Sequence, residues 1–72
     1  MRQLRHFVAL IEFRSFTAAA QAMKISQPAF SRSIQSLEQT IGARLINRQN
    51  PLEATKRGLL VLEHARKLLN SS

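Results

Sequence analysis

The spacing of apolar residues predicts an amphipathic helix at the start of the chain. The residues of its apolar face are Leu4, Phe7, Val8 and Ile11. They recur every three or four positions, which is the period of an α-helix. His6 falls outside this series, and the pattern therefore assigns it to the helix surface.

A pair of short helices joined by a tight turn is predicted next. Thr17 suits the N-cap of the first helix, because the alanine-rich segment after it favours helix. The turn contains the apolar Ile25, which we expect to fill the core beneath it. Ser26 suits the N-cap of the second helix. Pro28 is tolerated there because the first helical turn has no intrahelical partner for its missing N–H.

The second helix of this pair, from Ser26 to Ile41, has one apolar and one polar face. Its apolar stripe consists of Phe30, Ile34, Leu37 and Ile41. The opposite arc carries Ser31, Arg32, Gln35, Ser36 and Gln39. Hydroxyl, amide and guanidinium groups suit base edges and phosphates better than a generic surface. Gly42 stands where a left-handed cap ends a helix. Residues 17–41 therefore form a helix-turn-helix pattern, which favours DNA as partner.

A small β-hairpin and a last helix complete the predicted elements. Residues 43–48 are β-compatible at their centre, residues 49–51 suit a turn, and residues 52–54 suit a returning short strand. Thr55 then caps a helix whose leucines cover a wide arc, so we expect part of that arc to contact another chain. The predicted fold is mainly α, a winged helix-turn-helix with a three-helix core, a small β-hairpin wing and a long C-terminal helix.

The charge of the chain favours a polyanionic partner. Eleven Lys and Arg against four Asp and Glu give the 72 residues a formal net charge of +7. DNA, RNA and an anionic membrane surface all fit this excess, as does a plain basic soluble domain. RNA modules usually offer exposed aromatic rings, whereas the four Phe here sit at core-like spacings. A membrane-surface segment is one long basic helix, whereas these helices are short and capped.

Catalysis and metal binding lack the residues that they need. The chain has no Cys and no Asp, and its two histidines, His6 and His64, lie far apart. We therefore expect no enzyme activity, no catalytic residue, no metal site and no cofactor in this domain. No apolar run approaches the roughly 20 residues that span a bilayer. We accordingly expect no membrane partner and a cytoplasmic location.

Several motifs follow one another in an order that resembles a known family. They are LRHFVA at 4–9, SFTAAA at 15–20, SQPAFS at 26–31, I-x-x-L-E ending at Glu38, G-x-x-L-x-x-R ending at Arg48, and T-x-x-G ending at Gly58. Together they resemble the N-terminal DNA-binding domain of the LysR-type bacterial transcriptional regulators. The chain departs from the family pattern at Ile46, where Phe is usual, and in a wing that is shorter, carries Glu53 and lacks a basic tip.

The resemblance implies a domain organisation and a set of partners. Residues 1–58 correspond to the DNA-binding domain, with the helix-turn-helix at about 17–41 and the wing at about 44–54. Residues 55–72 correspond to the start of a linker and dimerisation helix. The effector domain, with a small-molecule effector of unknown identity, is absent from this chain. We expect the partner to be double-stranded DNA with an inverted-repeat site. We also expect a homodimer through the C-terminal helix, and a tetramer is compatible with the full-length protein. The dimer-interface candidates are Leu59, Leu62, Leu68 and Leu69.

The residues proposed to touch DNA fall into two groups. The base-contact candidates are Gln27, Pro28, Ser31 and Arg32, at the end of a recognition helix that meets base edges in the major groove. The backbone-contact candidates are Thr17, Ala18, Gln35, Ser36, Arg48, Gln49, Lys56 and Arg57. Arg32 suits guanine and phosphate equally well. A cap role for Thr17 and a solvated surface role for each single cation remain open alternatives.

Overall fold

The computed structural model describes residues 2–48 and 52–70. Within these residues the elements are α1 (Arg2–Phe13), α2 (Phe16–Ala22), α3 (Gln27–Ile41), β1 (Ile46–Asn47), β2 (Glu53–Ala54) and α4 (Lys56–Asn70). Helix α1 packs against all three other helices, and α2 packs on α3. The predicted winged helix-turn-helix fold is confirmed.

Helix α1 turns a different face to the core than the simplest apolar spacing indicated. Its buried residues are His6, Phe7, Ala9 and Leu10, while Leu4, Val8 and Ile11 are only partly buried. The prediction that His6 lies on the helix surface is wrong, because its side chain is 7% exposed. Its Nδ1 lies 2.7 Å from Ser33 Oγ, and its ring centroid lies 5.3 Å from that of Phe30. Helix α3 therefore gives the buried imidazole a hydrogen-bond partner inside the domain.

The N-cap of helix α2 lies two residues before the predicted cap. Ser15 is the N-cap, and its Oγ accepts a hydrogen bond from Ala18 N at 3.2 Å. The prediction that Thr17 caps this helix is wrong, because Thr17 lies inside the first turn. Ala19 and Ala20 are buried, so their small side chains let the neighbouring helices approach closely.

Helix α3 has the caps that its sequence predicts. Ser26 Oγ accepts a hydrogen bond from Ala29 N at 3.3 Å. Gly42 ends the helix with a left-handed φ of 80°, and its N–H donates to Glu38 O at 2.8 Å. The stripe of Phe30, Ile34 and Leu37 is buried, with Ile41 partly buried beside it. Ile25, in the turn before α3, packs partly buried against the core as expected.

The hairpin is tied to α3 by one carboxylate. Its strands are antiparallel, with Ile46 opposite Ala54 and Asn47 opposite Glu53. Glu38 Oε2 accepts hydrogen bonds from Leu45 N at 2.8 Å and from Ile46 N at 3.4 Å. These hydrogen bonds to Glu38 therefore fix where the hairpin begins, and with it the position of the wing beside α3.

The first turn of α4 is locked to the start of the hairpin. Thr55 caps α4 as predicted, since its Oγ1 accepts from Gly58 N at 3.0 Å. The same hydroxyl donates to Arg44 O at 2.6 Å, and Thr55 N donates to Leu45 O at 3.0 Å. A Cβ on Gly58 would lie 2.1 Å from Leu45 O, so this position requires glycine for close approach. The T-x-x-G motif therefore holds the first turn of α4 against the start of the hairpin.

Candidate nucleic-acid interface

The outer arc of α3 presents its polar side chains to solvent. Gln27, Pro28, Arg32 and Gln35 are all exposed, as is Gln39 further along the helix. At about 100° per residue, Pro28, Arg32 and Gln35 lie on the side opposite the buried Phe30 and Ile34. Because the core holds one side of α3, the other side is free to enter a groove.

Two serines lie on opposite flanks of this arc. Ser36 is exposed on the α1 side, where its Oγ accepts a hydrogen bond from Gln3 Nε2 at 3.0 Å. Ser31 is half-buried on the hairpin side. The sequence grouped both serines with Arg32 on one arc, and the structure separates them. Only Ser31 lies next to the wing.

A surface cleft with a volume of ≈ 280 Å³ lies between α2, α3 and the hairpin. It is lined by Phe16, Gln27, Ser31, Arg48 and Leu52. The guanidinium carbon of Arg48 lies 5.1 Å from the centroid of the Phe16 ring. The structure thus brings two base-contact candidates and one backbone-contact candidate together at one place.

The remaining backbone-contact candidates differ in their exposure and in whether their hydrogen-bond donors are already used within the domain. Thr17 is exposed, but the N–H of Ala18 already donates to Ser15 Oγ. The cap therefore occupies the amide of Ala18, and the contact of Ala18 with the DNA backbone stays a prediction. Lys56 and Arg57 are exposed in the first turn of α4. Gln49 lies outside the described residues.

Few of the cations near α3 are neutralised by carboxylates. Among residues 2–48 and 52–70 the ion pair within 4.0 Å is Lys67 with Glu63, both exposed on α4. Glu38 is used by backbone amides of the hairpin. Sequence reasoning missed Arg44, an exposed cation that lines a cleft with Gln35 and Gln39 at the far end of α3. Its charge was visible in the sequence, but only the fold places it beside α3.

His6 is a buried titratable group that sequence reasoning did not assign to the core. Burial lowers its pKa below the ordinary value of 6.5, and the nearby positive charge of Arg2 lowers that pKa further. The neutral imidazole is therefore the form that the folded domain favours. It supports α3 from behind, through Ser33 and Phe30.

The described residues offer neither a metal centre nor a membrane span. Residues 2–48 and 52–70 contain no group of three His, Cys, Asp or Glu side chains that could hold a metal ion. Across the same ranges, no helix has the length and apolar character needed to cross a bilayer.

The leucines of α4 do not form one exposed stripe. Leu62 is 8% exposed and belongs to the core, so its prediction as a dimer contact is wrong. Leu59 and Leu68 are exposed, but nine positions at about 100° each place them on opposite sides of the helix. Leu69 is partly buried at a groove beside α1. Leu60, which was not among the predicted contacts, is 64% exposed.

Comparison with known proteins identifies the family. The family model for "Bacterial regulatory helix-turn-helix protein, lysR family" matches residues 1–59. The SDS degradation transcriptional activation protein of a Pseudomonas species is 56% identical over 71 residues, which are 97% of this chain and 23% of that protein. The regulator BenM of Acinetobacter baylyi is 43% identical over 72 residues, which are 99% of this chain and 24% of that protein. The chain thus spans about a quarter of the length of these two relatives.

Solved structures share the fold as well as the sequence. The crystal structure of the BenM DNA-binding domain with catB site 1 DNA superposes with a TM-score of 0.93 at 44% identity, covering 97% of this chain and 80% of that chain. The DNA complex of DarR from Vibrio fischeri gives a TM-score of 0.93 at 41% identity, covering 97% of this chain and 24% of that chain. Sequence, fold and the polar arc of α3 agree, and the chain belongs to the lysR family of bacterial regulatory helix-turn-helix proteins.

Proposed function

We propose that this domain is the sequence-specific, double-stranded DNA-binding module of a LysR-type transcriptional regulator, with α3 in the major groove. The observation that carries the proposal is the division of α3 into a buried apolar stripe and an exposed polar arc. A helix held from behind by a core, with polar side chains in front, has the form of a recognition helix. The BenM and DarR structures, which are complexes with DNA, support this proposal.

The N-terminal half of α3 carries the groups suited to base readout. Gln27 has the donor and acceptor that pair with adenine N6 and N7, and Arg32 has the paired donors that match guanine O6 and N7. The Pro28 ring is an apolar surface suited to a thymine methyl. All three side chains are exposed. This exposure supports the proposal that Gln27 and Pro28 contact bases, with Arg32 serving either a guanine or a phosphate.

The cations around α3 supply affinity without sequence preference. Arg48, Lys56 and Arg57 are exposed and follow the recognition helix in the chain, and Arg44 lies at its far end. If a dimer neutralises roughly 6–10 phosphates, DNA affinity falls by about 10³–10⁵-fold between about 50 and 200 mM salt. The formal net charge of +7 supports salt dependence of this kind.

The whole protein is proposed to act as a homodimer in the bacterial cytoplasm, with a small-molecule effector bound by a further domain. Support comes from family membership and from relatives that are longer than this chain. The exposed Leu59 and Leu60 are the apolar groups of α4 that we propose for the dimer contact. Sedimentation of the Leu60→Ser variant tests this, since a dimer through α4 weakens and a dimer formed elsewhere does not.

Binding-site selection from random duplexes tests the DNA-reading proposal. We expect an inverted repeat to emerge, and fluorescence anisotropy to give tighter binding to it than to a scrambled duplex. Arg32→Ala should weaken binding to the selected duplex. Arg66→Ala is the matched control, since it removes an equal charge from α4, which packs on α1 and β2.

Competing ligands complete this test. Single-stranded RNA and anionic vesicles should bind far more weakly than the selected duplex at the same salt concentration. Equal affinity for all three ligands, or equal loss in Arg32→Ala and Arg66→Ala, would contradict specific reading of DNA by α3.

A further inference from the structure

We propose that the ring of Phe16 positions Arg48 for a DNA phosphate contact at the junction of α3 and the hairpin. Phe16 is then a positioning residue for DNA binding in addition to its part in packing. This inference rests on the proposed function, and it concerns how one cation reaches the DNA backbone.

The geometry of the pair is that of a cation over an aromatic face. The guanidinium carbon of Arg48 lies 5.1 Å from the Phe16 centroid, within the roughly 6 Å over which a ring attracts a cation. Arg48 follows β1 and is exposed, so its long side chain would otherwise sample many rotamers. The ring reduces that freedom before DNA arrives.

Phe16 is itself held firmly. It is the first residue of α2, is partly buried, and meets Phe30 edge-on with centroids 6.1 Å apart and planes at 85°. Phe30 belongs to α3 and is 0% exposed. The platform under Arg48 is therefore fixed relative to the recognition helix, as edge-to-face aromatic pairs in a core are.

The cleft beside the Phe16–Arg48 pair is lined by side chains suited to a phosphate-binding site. Arg48 shares its lining with the amide of Gln27, the hydroxyl of Ser31 and the buried Leu52. A guanidinium and a hydroxyl are donors to phosphate oxygens, and the described residues that line this cleft include no carboxylate. Gln27 and Ser31 come from α3, so a phosphate bound here would lie directly beside the base-reading helix.

The composition of the hairpin gives Arg48 its importance. Arg48 is the one Lys or Arg between Leu45 and Thr55 in the sequence. A hairpin with this sequence has a single cation to offer the DNA backbone. Positioning that cation therefore decides how much the positive charge of the hairpin contributes to binding.

A double-mutant cycle on DNA binding tests the coupling. The variants are Phe16→Leu, Arg48→Gln and the two combined, measured on the selected duplex over a range of salt concentrations. Arg48→Gln should lower the slope of log affinity against log salt by about one per protomer. Phe16→Leu should weaken binding about two- to fivefold and lower the slope in part. In the Arg48→Gln background, Phe16→Leu should have no further effect.

Controls separate positioning from packing. Thermal unfolding of each variant reports stability, and a packing role alone would lower the melting temperature without changing the salt slope. Arg66→Gln removes the same charge from α4 and should leave the slope nearly unchanged. In wild-type protein, NMR should show the Arg48 side-chain protons shifted upfield by the Phe16 ring. That measurement does not depend on whether Phe16→Leu folds.

Three results would overturn the inference. They are equal losses on Phe16→Leu in both backgrounds, an unchanged salt slope in Arg48→Gln, and unshifted Arg48 proton resonances. Wild-type protein that binds no duplex preferentially contradicts the proposed function instead. The two failures are therefore distinguishable.

Discussion

Substituting Gly58 by Ala sets two physical effects against each other. Alanine favours a helix over glycine by about 1 kcal/mol at most, so the substitution would stabilise an unobstructed first turn of α4. The added Cβ, however, lies 2.1 Å from Leu45 O, a distance that real Cβ contacts do not show. The obstacle is backbone rather than a flexible side chain, and something must shift.

The magnitude follows from what has to move. Overpacking of this kind costs about 1–3 kcal/mol. Leu45 O also accepts the hydrogen bond of Thr55 N at 3.0 Å, and weakening that bond adds about 1 kcal/mol. After subtracting the helix gain, we expect Gly58→Ala to lower the free energy of unfolding by about 2 kcal/mol. For a domain of this size the melting temperature should fall by about 8–16 °C.

Urea unfolding followed by circular dichroism measures this free energy, and Gly42 supplies the matched comparison. Gly42 has a φ of 80° with nothing within 4 Å of an added Cβ, so its substitution is limited by backbone conformation. There Asn should cost less than Ala, because Asn tolerates the left-handed region. At Gly58 the order should reverse, because bulk is the problem. Stabilisation by Gly58→Ala would refute the close approach.

Three further predictions concern single side chains. Glu38→Gln should lower the free energy of unfolding by about 1 kcal/mol in urea titrations, because two hairpin amides lose a charged acceptor, whereas the exposed Glu12→Gln should stay within about 0.5 kcal/mol. Because the pKa of His6 is lowered in the folded state, the unfolded chain takes up the His6 proton at a higher pH than the folded domain does. The urea midpoint of the wild type should therefore fall as the pH drops below about 6.5, and the midpoint of His6→Gln should fall by a smaller amount. Glu53→Gln should tighten DNA binding about two- to fivefold in anisotropy titrations at low salt, since Glu53 is an exposed negative charge on the wing.

Each of these has a clear contrary result. Equal losses of unfolding free energy in Glu38→Gln and Glu12→Gln would mean that the hydrogen bonds from the hairpin amides to Glu38 contribute nothing to stability. A pH dependence identical in wild type and His6→Gln would assign it to another group. Unchanged DNA binding by Glu53→Gln would place the wing away from the phosphates.

The parts of the fold that depend on local chemistry were predictable from the sequence. The Ser26 and Thr55 caps, the left-handed Gly42 and the apolar stripe of α3 each follow from residues a few positions apart. The hairpin was also predicted, because turn residues separate two β-compatible segments. These features fix the helix-turn-helix and therefore most of the candidate interface.

The errors concern features that only tertiary contacts decide. His6 has a polar side chain at a position that looks exposed on an isolated helix. In the fold, its ring is buried, where it hydrogen-bonds to Ser33 and packs against Phe30 of α3. Leu62 looks like any other leucine of α4, yet it is the one of the four dimer candidates that is buried. Phe16 and Arg48 are 32 positions apart in the sequence, so their contact leaves no periodic signal.

The central claim is that α3 reads the major groove, and affinity cleavage tests it most directly. The chain has no cysteine, so Gln39→Cys creates a single site for an iron–EDTA label on the outer arc of α3. Lys67→Cys on α4 is the control. Label on α3 should cut the selected duplex at the major groove of each half-site, and label on α4 should not. Cleavage centred on the minor groove, or equal cutting from both positions, would contradict the claim.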